Sequence, residues 1–137
     1  MINQGIMKSF IGVILLTLSW QIAAAEKEGA GKPIYYAMEP AFVVNLNEGP
    51  RMHFMQITVQ FMSHDQAVID AVDANQPPLR DALIMLLSHQ TGETMRSVQG
   101  REDVRKQALN DVRKVLAEVA GVKKGLDAVY FTDFVIQ

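Results

Sequence analysis

The chain has 137 residues, 49% of them apolar and 20% charged, with a formal net charge of −2 and no cysteine. That length and composition suit one globular domain rather than a disordered chain, and the near-neutral balance lacks the basic footprint that nucleic-acid binding needs. The absence of thiols excludes disulfides, thiol catalysis, cysteine-liganded zinc and a lipidated N-terminal cysteine, so stability has to come from packing.

No residue from Ser9 to Ala25 is charged; Lys8 precedes this run, and Ala23-Ala24-Ala25 leads into Glu26. A short basic start, an apolar stretch and a small-x-small end form a secretory signal pattern, which predicts cleavage between Ala25 and Glu26 with Ala23 and Ala25 as the small pair. Met7-Lys8 would itself open such a peptide, which leaves Met1 and Met7 both open as the start. As a helix the run spans about 25 Å against a hydrocarbon core of roughly 30 Å, so a tilted or bilayer-thinning anchor is the second reading. Either reading places Glu26 onward across the membrane. Residues 26–33 are polar, carry Gly29, Gly31 and Pro33, and read as a linker into a domain over 34–137.

Ile34 to Leu46 predicts a strand that Pro40 disturbs, with Phe42, Val44 and Leu46 alternating against Val43 and Asn45. Asn47-Glu48-Gly49-Pro50 is a turn by residue chemistry. Arg51 to Met62 resumes extended chain at a two-residue period, His53, Met55, Ile57, Val59 and Phe61 opposite Gln56, Thr58 and Gln60, and the two strands should form a hairpin.

Helices follow. Ser63-His64-Asp65 supplies caps for a short helix carrying Val68, Ile69 and Val72 as far as Ala74. Pro77-Pro78 opens a second helix to about Gln90, whose Leu79, Ala82, Leu83, Leu86 and Leu87 share one face while Ile84 and Met85 lie elsewhere, so it should be largely buried. Thr94 to Gln99 reads as a further turn. Gly100 precedes the longest helix, Arg101 to Ala120, with Glu102 and Asp103 at its start, Gly121 past its end, and Val104, Ala108, Leu109, Val112, Val115, Leu116 and Val119 in one arc. On its outer face Glu102 and Lys106, and Asp111 and Lys114, have ion-pair spacing.

The terminal stretch DAVYFTDFVIQ is the most β-prone in the chain. Strict alternation puts Val129, Phe131 and Val135 on one side and Tyr130, Phe134 and Ile136 on the other, so both faces should be covered. The whole is an α+β arrangement: a small sheet, made of the N-terminal hairpin plus the C-terminal strand, packed by two to four helices.

No catalytic motif stands out. His53, His64 and His89 lack a second ligand at metal spacing; His64, Asp65, Asp70 and Asp73 lack the loop of a calcium site; and no GxSxG, P-loop or dinucleotide signature is present. The methionines fit core gap-filling better than a binding surface. Two charges break their local pattern. Arg105 is the one charge beyond the first turn inside the apolar arc of the long helix, and Asp133 shares a strand face with Phe131 and Val135. Arg105 either snorkels past the helix edge and Asp133 accepts hydrogen bonds at a sheet margin, or each makes a polar contact, with the other or with a neighbouring subunit. In the second case alanine at Arg105 weakens assembly more than folding.

Taken together, YYAMEPAFVVNLN, RMHFMQITVQFM, PPLRDALIMLLS, GREDVRKQALNDVRKVL and a terminal VYFTDFVIQ, behind an apolar N-terminus, resemble the FliL family of flagellar basal-body-associated proteins over Pro33 to Gln137. Pro78 with Arg80-Asp81, Gly100 through Arg105, and the ending FTDFVIQ are the most telling pieces. The resemblance implies a stomatin-like (SPFH-like) periplasmic domain that is not an enzyme and has no cofactor, metal or small-molecule substrate. It implies partnership with stator and basal-body proteins, a homo-oligomeric ring around the stator, and a part in flagellum-dependent swimming or swarming motility and chemotaxis. Family members have a full membrane helix at the inner membrane, whereas this chain has a short apolar segment ending in Ala-Ala-Ala. If it is cleaved, the chain is a soluble periplasmic relative. The alternative is a soluble periplasmic scaffold or binding protein of the same fold serving another membrane complex.

Overall fold

A long hairpin opens the described chain. The computed structural model describes residues 31–46 and 48–137, so the cleavage expected at Ala25–Glu26, the apolar segment before it, most of the linker, and Asn47 in the hairpin turn lie outside the described residues. Strand β1, Ile34–Leu46, pairs antiparallel with β2, His53–Ser63. Phe42, Val44 and Leu46 point inward with Met55, Ile57, Val59 and Phe61, as the two-residue period predicts. At Pro40 the register shifts between Met38 and Phe42, so the extra β1 residues bulge out where proline has no N–H for the ladder.

Four helices follow β2 among the described residues: α1, Gln66–Ala74; α2, Gln76–Ser88; α3, Gly92–Arg96; and α4, Val98–Ala120. Asp65 caps α1 by accepting from the Ala67 amide. α2 buries Leu79, Leu83 and Leu87 on one face. It is not largely buried, since Ile84 and Met85 are 41% and 56% exposed on its far side. α3 comes earlier than the expected turn, because Ser97 adopts extended backbone, ends it and starts α4.

Ser97 also moves the start of the long helix. Its hydroxyl accepts from the Gly100 amide, so α4 begins at Val98, Gly100 lies within its first turn, and Glu102 and Asp103 fall one turn further in. Glycine is needed there: a Cβ on residue 100 would overlap the backbone carbonyl of Thr94 in α3. At the far end Gly121, at φ +67°, takes the left-handed cap. Val104, Ala108, Val112 and Leu116 are buried, while Val119 is exposed. Lys106 lies 3.9 Å from Glu102, but Asp111 accepts a hydrogen bond from Gln107.

Strand β3, Leu126–Ile136, then pairs antiparallel with β2, giving the sheet order β1-β2-β3. Its pairing slips twice, once beside Asp127 and again between Thr132 and Val135, where Asp133 sits at φ +48°. The second slip overturns the two-sided expectation. The extra residue shifts the alternation, so Phe134 and Ile136 pack against the core on the same side as Val129 and Phe131. Tyr130 and Val135 are left on the outer face, 37% and 46% exposed. The helices bury one side of the sheet only. Ser63, fully buried, ties three elements together: its hydroxyl donates to the Gly125 carbonyl and accepts from the Asp65 amide.

Candidate interaction surface

The sheet has two edges, and each meets arginine. At β1, Arg80 of α2 donates to the Pro40 carbonyl at 2.6 Å and lies 4.3 Å from the centre of the Phe42 ring. At β3, two arginines of α4 reach across. Arg105 donates to the Val129 carbonyl at 3.0 Å, and Arg113 donates twice to the Leu126 carbonyl at 2.9 and 2.7 Å. An edge strand presents backbone groups that a further strand can pair with, and guanidinium donors bonded to its carbonyls occupy part of that ladder.

Arg105 therefore leaves the apolar arc sideways, toward β3. Glu102, one turn earlier, grips it through two oxygens at 2.8 and 2.7 Å. That hydrogen-bonded pairing holds the Glu102 carboxyl below its ordinary value and raises the Arg105 guanidinium above its own. Asp133 is an exposed residue at the second β3 bulge, and the hydrogen bonds of Arg105 go to Glu102 and Val129 rather than to it. Arg113 carries no such mark in the sequence. Its spacing of eight residues from Arg105 puts both on one side of α4, but an exposed helical arginine in sequence looks like ordinary solvated surface.

Between α4 and β3 lies an open cleft of about 830 Å³, whose charged lining is Arg101, Glu102, Arg105 and Asp127, with Leu109 and Phe131 among its apolar lining. Arg101 is held within the fold by the Met95 and Arg96 carbonyls, each at 2.9 Å. Around the edge of β3 the uncovered sheet face begins. Tyr35 and Tyr130 approach at 6.2 Å between ring centres at one end, and Val43, Phe54 and Val135 are exposed at the other. Sheets of this kind have one solvated face, but large apolar groups gathered on it mark a contact surface.

The polar side chains elsewhere serve the fold. His64 bonds Asp127 at 2.8 Å, joining the approach to α1 to β3, and His53 lies 4.0 Å from Glu48, which also pairs with Arg96 at 2.9 Å. Among the described residues no group of three or more acidic or histidine side chains is placed to hold a metal, and no helix is long and apolar enough to cross a membrane.

The arrangement is that of an α+β domain with one uncovered sheet face and two strand edges. Residues 35–137 match the family described as flagellar basal body-associated protein FliL, and the chain belongs to that family. It is 34% identical over 104 residues to a flagellar protein FliL of Aquifex aeolicus, an alignment that takes in 76% of this chain and 62% of that relative. It is 26% identical over 125 residues to the flagellar protein FliL of Escherichia coli K12, over 87% of this chain and 77% of the relative. The chain thus spans a little under two thirds of the length of the Aquifex protein. Proteins of this family are flagellar structural accessory proteins, and the chain is not an enzyme.

Proposed function

We propose that this chain acts at the flagellar basal body, on the periplasmic side of the inner membrane, where it associates with stator units and supports the torque behind swimming and swarming. The observation that carries the reading is that the family match spans the folded unit from β1 to β3. The uncovered sheet face suits a protein that works by contact.

A homo-oligomeric ring belongs to the same proposal, as do a neighbouring-subunit contact at Arg105 or Asp133 and a division into N-terminal segment, linker and a domain from Ile34. A binding partner shifts a stator toward its engaged state only by the difference between its affinities for the engaged and idle states. Retention at the membrane raises the effective concentration for that contact, and cleavage after Ala25 would leave recruitment to a partner.

A strain lacking the chain should turn its flagella with reduced torque under viscous load, and the full chain supplied in trans should restore it. Undiminished torque under load would instead assign the protein to another membrane complex, as a soluble periplasmic scaffold. Intact mass and fractionation from the same cells separate the two modes of action. A species starting at Glu26 in the soluble periplasm means recruitment, and a full-length species in the inner membrane means anchorage.

A further inference from the structure

We propose that the uncovered face of the sheet receives one amphipathic helix of a different protein, laid along β2 with an apolar stripe toward the sheet and basic residues on both sides of that stripe. This holds whichever membrane complex the chain serves, so it goes beyond the flagellar reading and does not rest on it. Among the described residues, those paired in register on this face are uncharged. Its acids lie at the margins. The β1 bulge, which contains Glu39, falls opposite Thr58, and the β3 bulge, which contains Asp133, falls opposite Ile57. Both acids are exposed, and they stand level on either side of the middle of β2. Asp127, in the other slip of β3, is taken up by His64. A second copy of the same face would bring acid against acid, whereas a ligand with basic flanks meets a carboxylate on each side.

One helix fits the strip between the two acids. Strands about 4.8 Å apart put β1 and β3 roughly 10 Å from each other, close to the width of a helix with its side chains, about 10–12 Å. A helix over β2 therefore has one flank above each acid, and a lysine or arginine there lays its stem on the sheet and its charge at the margin. From Phe54 to Met62 the face runs about 26 Å, or roughly five turns of helix. At the Phe54 end, Val43, Phe54, Gln56, Val135 and Gln137 bound a hollow of about 170 Å³, which takes one large apolar side chain as an anchor. At the other end Tyr35 and Tyr130 offer a second apolar contact. The ligand is thus defined as an apolar anchor near each end of its stripe and a basic pair midway. Its seat leaves both strand edges free, so it is compatible with association between copies of the chain.

The probe is a fluorescein-labelled helical peptide of about 18 residues with a leucine stripe flanked on both sides by lysine, and its counterpart carries glutamate in place of each lysine. Anisotropy is read as each peptide is titrated with the full chain from its own cells, at about 0.15 M salt, where exposed charges more than about 8 Å apart are largely screened. The lysine peptide should bind about tenfold more tightly than the glutamate peptide. Glu39→Gln together with Asp133→Asn should bring the two within about threefold of each other. Asp81→Asn with Glu118→Gln, the same change of charge at exposed helix positions, should keep the difference. Phe54→Lys should weaken the lysine peptide about tenfold. Asparagine tolerates the left-handed backbone at position 133, and the thermal midpoint confirms that each variant folds. A chain that ignores both peptides or binds them alike overturns the proposal. So does a preference for lysine that survives the loss of Glu39 and Asp133, or one that the helix pair removes as well. In a chain that ignores both peptides, flotation with phosphatidylcholine vesicles that Phe54→Lys abolishes gives the face to lipid, and a fall in molecular mass on Phe54→Lys gives it to a second copy. Torque is not read in any arm, so failure here leaves the flagellar reading standing.

Discussion

Tyr36 shows how one side chain on β1 joins a helix to the sheet. Its hydroxyl donates to Asp73 of α1 at 2.6 Å, and the Gln76 amide donates to both. Burial, followed by the hydrogen bond and charge of Asp73, pushes the Tyr36 hydroxyl up to about 12 from 10.0. The folded chain therefore holds that proton more tightly than the unfolded chain. Its stabilisation is complete below pH 10.0 and is lost as pH rises toward about 12. Tyr36→Phe should lack this alkaline step, seen as a smaller fall in thermal midpoint between about pH 10 and about pH 12 than the natural chain shows. Asp73 has the opposite sign. The bonds from Tyr36 and Gln76 hold its carboxyl below the ordinary value, so its contribution is present at neutral pH and lost as pH falls through the folded value. Arg105→Ala removes the guanidinium from both Glu102 and the Val129 carbonyl, and should cost about 1–2 kcal/mol of folding stability by denaturant unfolding. Unchanged stability with a smaller assembly would show that Arg105 serves a neighbouring subunit instead.

Among the elements, β3 departs furthest from its sequence pattern. Its composition announced a strand, and the strand is there. Simple alternation divided its apolar residues between two faces, whereas the additional residue at Asp133 brings Phe134 and Ile136 round to the core. Aspartate tolerates the left-handed backbone found there, and a β-branched residue does not. Asp133→Gly should be neutral or slightly stabilising in urea unfolding, whereas Asp133→Val should cost about 1–2 kcal/mol. Deleting Asp133 leaves Phe134 alone opposite Ile57, so Phe134 and Ile136 stay on the core side, and the loss should be within about 1 kcal/mol in the same unfolding. A loss of several kcal/mol would mean that the bulge supports the strand by more than one surplus residue. The long helix carries a similar lesson. Gly100 reads as a helix boundary, but Ser97 caps first, and glycine is required because α3 lies against the helix at that point.

For the molecule as a whole, a small sheet packed by helices was legible in the order of the elements, because each depends on periods of 2.0 or 3.6 residues and on nearby caps and turns. The covering of one sheet face alone was not, since both faces of the last strand were expected to be covered. Met55, Ile57, Val59 and Phe61, or Leu79, Leu83 and Leu87, declare their shared face within a few residues, and the structure buries all of them. The FliL resemblance came from the same local stretches, and the family match follows them from residue 35 to 137. What the chain left undecided involves distance. Arg113 meets the Leu126 carbonyl only once α4 lies along β3, and Asp133 shifts the strand's phase only relative to a partner, Thr58, far back in the chain. Tyr35 and Tyr130, ninety-five positions apart, share an open face only because β2 stands between them. Local chemistry chooses helix, strand and turn. Register between distant strands, and the side on which the helices settle, decide which apolar groups enter the core and which remain outside to meet another molecule.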